Sequence, residues 1–146
     1  MLKRRMFFVV ARVCFALYRT FPIFGPLSAS IAIIHRNHKI LVIHRNDGRG
    51  VSLPGGIADR GEAEEATLRR EVQEETGMSV TEAELQMRYF SRAELPCNIS
   101  VFLAQASGEL KESWEGTPRW MMVEELEPLL IKSQRPLVEM MRKIAA

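Results

Sequence analysis

The sequence has few of the features that mark secreted, fibrous or membrane-spanning proteins. Its two cysteines, Cys14 and Cys97, form neither a disulfide framework nor a metal-binding spacing, which favours reduced thiols in a cytoplasmic protein. The chain has no internal repeat, no low-complexity tract and no run of about 18 uncharged apolar residues that could span a membrane. Its net charge of +2 is too small to indicate nucleic-acid binding, so no DNA partner is expected.

The apolar content of the chain is sufficient for one domain and its core. The 146 residues are 47% hydrophobic and 26% charged, which is ordinary for a soluble globular protein and short for two domains. Composition divides the chain into an extension over residues 1–27 and a domain over residues 28–146. The sequence therefore predicts a single domain preceded by an appended segment.

The extension combines a basic start with a long apolar stretch. A helix over about residues 2–19 is predicted, and Arg12 inside the stretch, with no small-x-small cleavage site, argues against a signal peptide. The apolar residues that recur at helical spacing are Leu2, Met6, Val9, Val13 and Leu17. This helix has two readings: it packs on the domain or on a second copy to form a homodimer, or it lies on a membrane surface. In the membrane reading, arginines such as Arg12 meet anionic headgroups while side chains such as Phe7 and Phe15 enter the interface.

The domain alternates between strand-like and helix-like patterns. The β-rich runs cover residues 28–34, 39–45, 51–53, 86–91, 99–106 and 119–123. Asn37-His38 is a turn signal, and Pro54-Gly55-Gly56 is expected to stop the third strand. Helices are predicted from near Glu62 to just before Gly77 and over residues 136–144. Strands on both sides of a central helix, with a closing helix, indicate a mixed α/β sandwich.

The central helix carries like charges on one face. Glu71, Glu74 and Glu75 lie at i, i+3 and i+4, so their side chains share roughly one 100° sector of a helix. Like charges at this spacing destabilise a helix, and a cation among the carboxylates would remove that cost. Hard divalent ions with oxygen ligands are the natural candidates.

Residues 56–78 resemble the signature of the Nudix hydrolases, Gly-x5-Glu-x7-Arg-Glu-U-x-Glu-Glu-x-Gly-U, in which U is a bulky apolar residue. The fixed positions are all matched, by Gly56, Glu62, Arg70, Glu71, Val72, Glu74, Glu75, Gly77 and Met78. The resemblance to this MutT-like family implies an α/β/α sandwich around a mixed sheet over roughly residues 28–145, with the N-terminal apolar helix added. It also implies hydrolysis of a pyrophosphate bond.

Each residue of this signature can be given a chemical role. Glu74 and Glu75 are the best candidates for direct metal ligands, and Glu71 is either a ligand or the base for the attacking water. Arg70 is expected to orient and neutralise the glutamates. The remaining glutamates lie near the start of the helix. Glu62, at its start, would cap it or support a metal-bound water, while Glu64 and Glu65 are read as solvated surface.

The glycines before the helix have a different role. Gly55 and Gly56 let the backbone approach a ligand closely because they lack Cβ, so Gly56 is assigned to substrate binding. By resemblance, the Gly55 carbonyl is a further metal ligand.

Outside the signature, Glu115 is the acid of greatest interest. Many members of the resembled family place a further metal ligand or base in this loop, before a strand that starts near a tryptophan, here Trp120; Glu112 is the alternative acid. Arg45 is assigned to phosphate binding, because guanidinium suits bidentate contacts with phosphate, with Arg36 and Arg49 as alternatives. Trp120 is assigned to substrate binding by stacking, although an aromatic residue in a strand is often part of the core.

These assignments predict a Mg²⁺-dependent hydrolase, with Mn²⁺ as a substitute ion, that cleaves a nucleoside diphosphate linked to another moiety. The alternatives are a non-catalytic binding or regulatory module on the same fold, and a hydrolase of lipid-linked pyrophosphates at a membrane surface. The latter depends on the membrane reading of the N-terminal helix. No pattern in the sequence selects one substrate among nucleotides, nucleotide sugars, dinucleoside polyphosphates and capped RNA.

Overall fold

The computed structural model describes residues 6, 9–14, 16–17 and 25–146. The described positions between 6 and 17 are helical, as predicted, and the remainder of the predicted helix lies outside the described residues. The proposed boundary between extension and domain stays a prediction. The strands of the described residues are β1 (Leu27–Ile33), β2 (His35–Arg36), β3 (Lys39–Arg45), β4 (Val51–Ser52), β5 (Gly55–Ile57), β6 (Ser79–Ser91), β7 (Cys97–Ser107) and β8 (Gly116–Met121).

The strands form two sheets. The first is mixed and has the order β5-β1-β7-β6, in which β1 and β7 are parallel and the other pairs are antiparallel. The second is antiparallel and is built around β3, which pairs with β2, β4 and β8. The apolar runs that end β1 and fill β3 are buried on both faces, as expected for central strands covered on two sides.

A two-residue turn joins β2 to β3. Asn37 and His38 both have positive φ, 49° and 62°, which is the conformation of a type I′ hairpin turn. The predicted turn is therefore confirmed. The His38 Nδ1 atom lies 2.9 Å from the carbonyl oxygen of Ala145, so the hairpin tip also contacts the last helix.

The helices lie outside the sheets. They are α1 (Glu64–Thr76), α2 (Val123–Leu126) and α3 (Val138–Ala145), with 3₁₀ turns over Glu127–Leu129 and Lys132–Leu137. Helix α1 begins two residues later than predicted and ends at Gly77, which adopts the left-handed conformation and donates its N–H to the Gln73 carbonyl. The predicted closing helix over residues 136–144 is α3, preceded by the second of these 3₁₀ turns.

Two apolar cores lie on opposite sides of the sheets. One includes Ile33 and Val42 and is closed by α2 and α3 through residues such as Leu126 and Met141. The second is closed by α1; its buried residues are Ala32, Ile34, Leu41, Leu68, Val72, Met78, Val80, Phe102 and Ala104. The predicted α/β/α sandwich with a mixed sheet is confirmed.

Three strand predictions were wrong in extent. The strand predicted over residues 119–123 is β8, which begins at Gly116 and ends at Met121. Gly55 and Gly56 do not only stop β4; they form β5 and pair with Ile31 and Ser30 of β1, because glycine allows a backbone approach that a side chain would block. Strand β6 begins at Ser79 rather than residue 86. Its first half has one buried side chain, Val80, among exposed and half-buried ones, so it lacks the apolar run by which the other strands were identified.

Candidate active site

The two glycines of β5 hold the sheet and helix α1 close together. A Cβ atom on Gly55, whose φ is +145°, would lie 2.2 Å from the Ser30 carbonyl oxygen. A Cβ atom on Gly56 would lie 2.5 Å from the Glu71 carboxyl carbon. Gly55 is therefore needed for the pairing with β1, and Gly56 leaves the space that the Glu71 carboxylate occupies.

Glu71 and Glu75 point inward from α1 toward β5. Only 8% of Glu71 and 4% of Glu75 is exposed, and the Gly55 N–H donates a 2.9 Å hydrogen bond to Glu75 Oε2. Burial raises the pKa of both carboxyls, and the neighbouring Glu115 carboxylate raises the pKa of each further. Two buried acids that disfavour their own charge form a site that a cation would stabilise.

Glu115 reaches this cluster because of the pairing between β8 and β3. Gly116 lies opposite Arg45, and a Cβ atom on Gly116 would lie 2.4 Å from the His44 carbonyl oxygen, so only glycine allows this approach. The Glu115 carbonyl accepts a 2.9 Å hydrogen bond from the Asn46 N–H, which fixes the loop beside the end of β3. The structure therefore brings Glu115 to Glu71 and Glu75, residues about 40 positions earlier in the chain.

Arg70 neutralises the outer side of the carboxylate cluster. Its Nε and Nη2 donate to the two oxygens of Glu62, both at 2.9 Å, and its Nη1 donates to Glu71 Oε1 at 2.7 Å. Hydrogen bonds from Arg70, and one of 2.6 Å from the Thr67 hydroxyl, lower the pKa of Glu62 to about 2. Glu62 thus holds Arg70 in position, while Ala63 is the residue at the helix N-cap.

Glu74 differs from its neighbours in exposure. Its side chain is 58% exposed, and Arg70 Nη1 lies 3.2 Å from Glu74 Oε2. Helix α1 therefore turns Glu71 and Glu75 toward β5 and leaves Glu74 at the rim, although the three share one side of the helix. The predicted role of Glu74 as a ligand remains a prediction.

Arg45 lies close to the carboxylate cluster but already has a partner. Its Nη2 lies 2.6 Å from Asp47 Oδ2, and its Nε donates to both Asp47 oxygens. Burial acts to lower the pKa of Arg45, but the charges of Asp47, Glu75 and Glu115 prevail and the pKa is raised. The guanidinium faces these acids and stays charged, and its contact with phosphate remains a prediction.

Trp120 has a packing role in the structure. Its ring packs against the α1-side core, and the Arg36 guanidinium lies over it at 4.9 Å from the ring centroid. Stacking on a substrate, the role assigned from the sequence, therefore stays a prediction for this residue.

The interpretation of Glu64 as solvated surface was wrong. Glu64 accepts hydrogen bonds of 2.9 and 2.7 Å from Arg88 and one of 2.7 Å from the hydroxyl of Ser100, which is buried in β7. These contacts lower the pKa of Glu64 to about 2. Glu65 is exposed as expected and pairs with Arg69 one turn along the helix.

Sequence reasoning missed two residues of the site. Asp47 was assigned no role, and the signal that could have found it is its position two residues after Arg45. Thr67 follows Glu62 by five residues, a spacing that places its hydroxyl one turn inside α1, beside the carboxylate that precedes the helix.

The carboxylate cluster suits a hard divalent cation by its donor chemistry. In the described part of the chain, no three histidine, cysteine, aspartate or glutamate side chains converge closely enough to hold an ion as they stand. Glu75 and Glu115 are nevertheless close enough to share a hydrogen bond, and this contact raises the pKa of Glu75. Their oxygens, with the gap that a Cβ on Gly56 would fill, match the ligands that Mg²⁺ prefers.

The comparisons with known proteins agree with this geometry. A family model described as the NUDIX domain matches residues 26–141. A search of curated proteins gave no match. Among solved structures, the E. coli ORF135 protein is similar at 23% identity with a TM-score of 0.71, covering 84% of this chain and 92% of that one.

Two solved MutT proteins are also similar in structure. The MutT NUDIX hydrolase from Burkholderia pseudomallei has 26% identity and a TM-score of 0.70, covering 79% of this chain and 97% of that one. MutT from Aliivibrio salmonicida and Vibrio cholerae has 20% identity and a TM-score of 0.70, covering 82% of this chain and 99% of that one. With the family match over most of its length and the fold and carboxylate cluster described above, the chain belongs to the Nudix hydrolase family, whose members act on pyrophosphate bonds.

Proposed function

We propose that this protein is a Mg²⁺-dependent, cytoplasmic hydrolase that cleaves the pyrophosphate bond of a nucleoside diphosphate linked to another moiety. The observation that supports this most is the buried pair Glu71 and Glu75, whose pKa values are raised by burial and by Glu115. Buried acids with few protein cations beside them are suited to hold divalent ions, and the resemblance to two MutT proteins favours nucleotide substrates.

The residues that would hold the ion are Glu75, Glu115, Glu71 and the Gly55 carbonyl, with Glu74 at the rim. A bound Mg²⁺ supplies charge neutralisation on phosphate oxygens and lowers the pKa of water. Because these acids outnumber the ligands that one Mg²⁺ takes from protein, more than one ion is expected.

Proton transfer falls to the carboxylates of the same cluster. The attacking water must lose a proton, and Glu71 or Glu74 is positioned on α1 to take it. Arg70 orients Glu71 through its 2.7 Å hydrogen bond and is itself held by Glu62. Arg70 thus acts as a positioning residue in this proposal.

The substrate would lie between the cluster and the end of β3. Arg45 lies in the field of Glu75 and Glu115, and its guanidinium would exchange its contact with Asp47 for a phosphate of the substrate. Gly56 and Trp120 are the further candidates for contacts with the substrate. Contacts between the protein and the rest of the substrate would decide whether it accepts nucleotide sugars, dinucleotides or triphosphates.

The test is a hydrolysis screen of the full-length protein across that substrate panel, with Mg²⁺, with Mn²⁺ and with EDTA. We expect release of phosphate or nucleotide from at least one substrate, abolished by EDTA and restored by either ion. Tight binding of a nucleotide without turnover under any metal condition would contradict the proposal and favour a non-catalytic binding module.

A matched pair of variants tests the assignment of Glu115. Glu115→Gln should lower kcat/KM by at least about tenfold, the lower end of the range for groups that support a metal site. Glu112→Gln, three residues earlier in the same loop and in contact with the Thr117 hydroxyl instead, should leave activity within twofold. Equal effects of the two substitutions would remove Glu115 from the site.

A further inference from the structure

The N-terminal helix exposes an apolar stripe. Its described residues are helical, and their large apolar side chains are 53–63% exposed although the domain offers two apolar cores. The exposed side chains are Met6, Val9, Val10, Val13 and Leu17. Scattered apolar residues on a surface are ordinary, but a contiguous set on one element marks a contact surface.

These side chains share one sector of the helix. At about 100° per residue they cover roughly 100° of the circumference, and Arg12 falls outside that sector. Arg12 and Ala16 instead line an open cleft of about 820 Å³ between the helix and the domain, together with Arg49 and Leu129. The apolar stripe therefore faces away from the domain, which argues against the reading in which the stripe packs on the chain's own core.

Charge is segregated along the chain in the same place. Residues 1–27 contain five basic residues and no acidic one, while residues 28–146 contain 15 basic and 18 acidic residues. The basic residues are Lys3, Arg4, Arg5, Arg12 and Arg19. A positive, apolar segment on a domain with a net negative charge has the composition of an interfacial helix.

The helix is suited to lie on a bilayer rather than cross it. Arg12 interrupts the apolar residues of this segment, so its sequence offers no uncharged apolar run of about 18 residues. None of the helices among the described residues is both long and apolar enough to cross a membrane.

We propose that the N-terminal segment binds the surface of an anionic phospholipid bilayer, with the exposed side chains of Met6, Val9, Val10, Val13 and Leu17 inserted between the headgroups and the positive charge of the segment attracted to the phosphates. Charge complementarity selects this partner over a second copy of the chain. Two copies of residues 1–27 placed together would oppose five positive charges to five, whereas anionic lipids neutralise them. This inference does not depend on the proposed hydrolysis.

The test is co-sedimentation of the full-length protein with two kinds of vesicle, phosphatidylcholine alone and an equimolar mixture of phosphatidylcholine and phosphatidylglycerol. We expect the protein to pellet with the mixed vesicles and to be released by high salt. The double variant Val10→Asp/Val13→Asp should abolish pelleting. Arg12→Glu should weaken binding at least about fivefold, because it reverses one of the positive charges that attract the N-terminal segment to the anionic surface.

Matched variants on the domain serve as controls. Phe90→Asp alters a side chain that is 46% exposed on β6, and Arg142→Glu reverses an exposed charge on α3; both should bind vesicles as the parent does. Thermal unfolding of every variant shows whether the domain remains folded. Because the stripe packs on no core, the double aspartate variant should unfold at the parent's temperature.

Two outcomes would overturn the proposal. The first is equal pelleting with both vesicle types or equal pelleting by the parent and the double aspartate variant. The second is a dimer, seen by light scattering without lipid, that the double aspartate variant converts to a monomer while the parent ignores anionic vesicles. In that case a second copy of the chain covers the stripe.

Discussion

The glutamates near the two ends of helix α1 lie in opposite electrostatic environments. Near its start, Glu62 and Glu64 each meet an arginine and a hydroxyl, and the pKa of each falls to about 2. In its second half, Glu71 and Glu75 are buried beside other acids, and the pKa of each is raised. Near the start of the helix, arginines of the protein are the cations that neutralise the glutamates. In the second half, a bound ion would have to neutralise them.

This difference shows what separates a structural carboxylate from a metal-binding one on the same helix. Glu62 is satisfied entirely by Arg70, Thr67 and a backbone amide. Glu75 accepts a hydrogen bond from the Gly55 N–H, shares one with the Glu115 carboxyl group, and lies in the field of Glu71 and Glu115. Replacing a glutamate by glutamine should therefore change the stability of the protein in opposite directions at the two ends.

The largest effect is expected from Glu75→Gln. The amide keeps an acceptor for the Gly55 N–H but loses the charge that binds metal, so kcat/KM should fall at least about 100-fold, the upper range for outer-shell partners. In EDTA the same variant should unfold at a higher temperature than the parent, because a repulsive buried charge is removed. The control is Glu65→Gln, on the exposed side of α1, which should change neither quantity. A large loss of stability in EDTA for Glu75→Gln would contradict the proposed difference between the two ends of the helix.

A pair of glycine substitutions separates the fold from the site. Gly55→Ala places Cβ against the β1 backbone at a positive φ, so it should destabilise the protein by about 1–3 kcal/mol. Gly56→Ala places Cβ against the Glu71 carboxylate, the mobile end of a side chain, so it should cost little stability and lower kcat/KM at least about tenfold. Urea unfolding and steady-state kinetics measure the two effects. Similar loss of stability in both variants would contradict this division.

Arg70→Met should affect both ends of the helix at once. Glu62 loses its main partner and Glu71 loses the 2.7 Å contact that orients it, so kcat/KM should fall about 10- to 100-fold and the unfolding temperature should drop. The matched control is Arg142→Met, which removes exposed ion pairs with Glu127 and Glu139 and should leave both measurements nearly unchanged. If the two variants unfold alike, Arg70 is not the link between the ends.

The two ends should also give opposite dependences of stability on pH. Stability from Glu62 is complete above its unfolded pKa of 4.5 and is lost as the pH falls toward 2. Glu71 and Glu75 have raised pKa values when folded, so their contribution is complete below 4.5 and is lost as the pH rises through those values. In EDTA, the unfolding temperature should therefore decline above pH 4.5, and Mg²⁺ should reverse the decline. A rise with pH in EDTA that Glu75→Gln leaves unchanged would show that other groups dominate.

The smallest effect is expected from Glu64→Gln. The substitution weakens contacts with Arg88 and Ser100 at a half-exposed position, so the unfolding temperature should fall slightly and kcat/KM should stay within twofold. Loss of activity comparable with that of Glu75→Gln would place Glu64 in the site and erase the difference between the two ends.

Local spacing predicted the fold class and part of the site. The positions of Glu71 and Glu75 four residues apart placed both on one face of a helix, and Gly77 marked the end of that helix. Spacing could not separate Glu74 from Glu75, since both lie within one sector and only the position of β5 makes one buried and the other exposed. The pairing of β5 with β1 depends on glycines that resemble an ordinary turn.

Contacts made outside a single helix or strand account for the errors. Glu64 looked like one of several surface charges because its partners lie 24 and 36 positions away on β6 and β7. Asp47 was missed because its contact with Arg45 depends on how the loop after β3 folds back. Periodicity within one element carries no information about such pairs.

The parallel pairing of β1 with β7 has a consequence for folding kinetics. Leu27 lies opposite Cys97 and Ile33 opposite Leu103, so this pair closes a loop of about 70 residues that contains α1 and β5. Closing this long loop loses chain entropy before the stabilising contacts between the strands can form. The pairing is therefore expected to slow folding. During synthesis, β1 has no parallel partner until residues 97–103 have left the ribosome, so the carboxylate cluster is expected to assemble late and in one step with the mixed sheet.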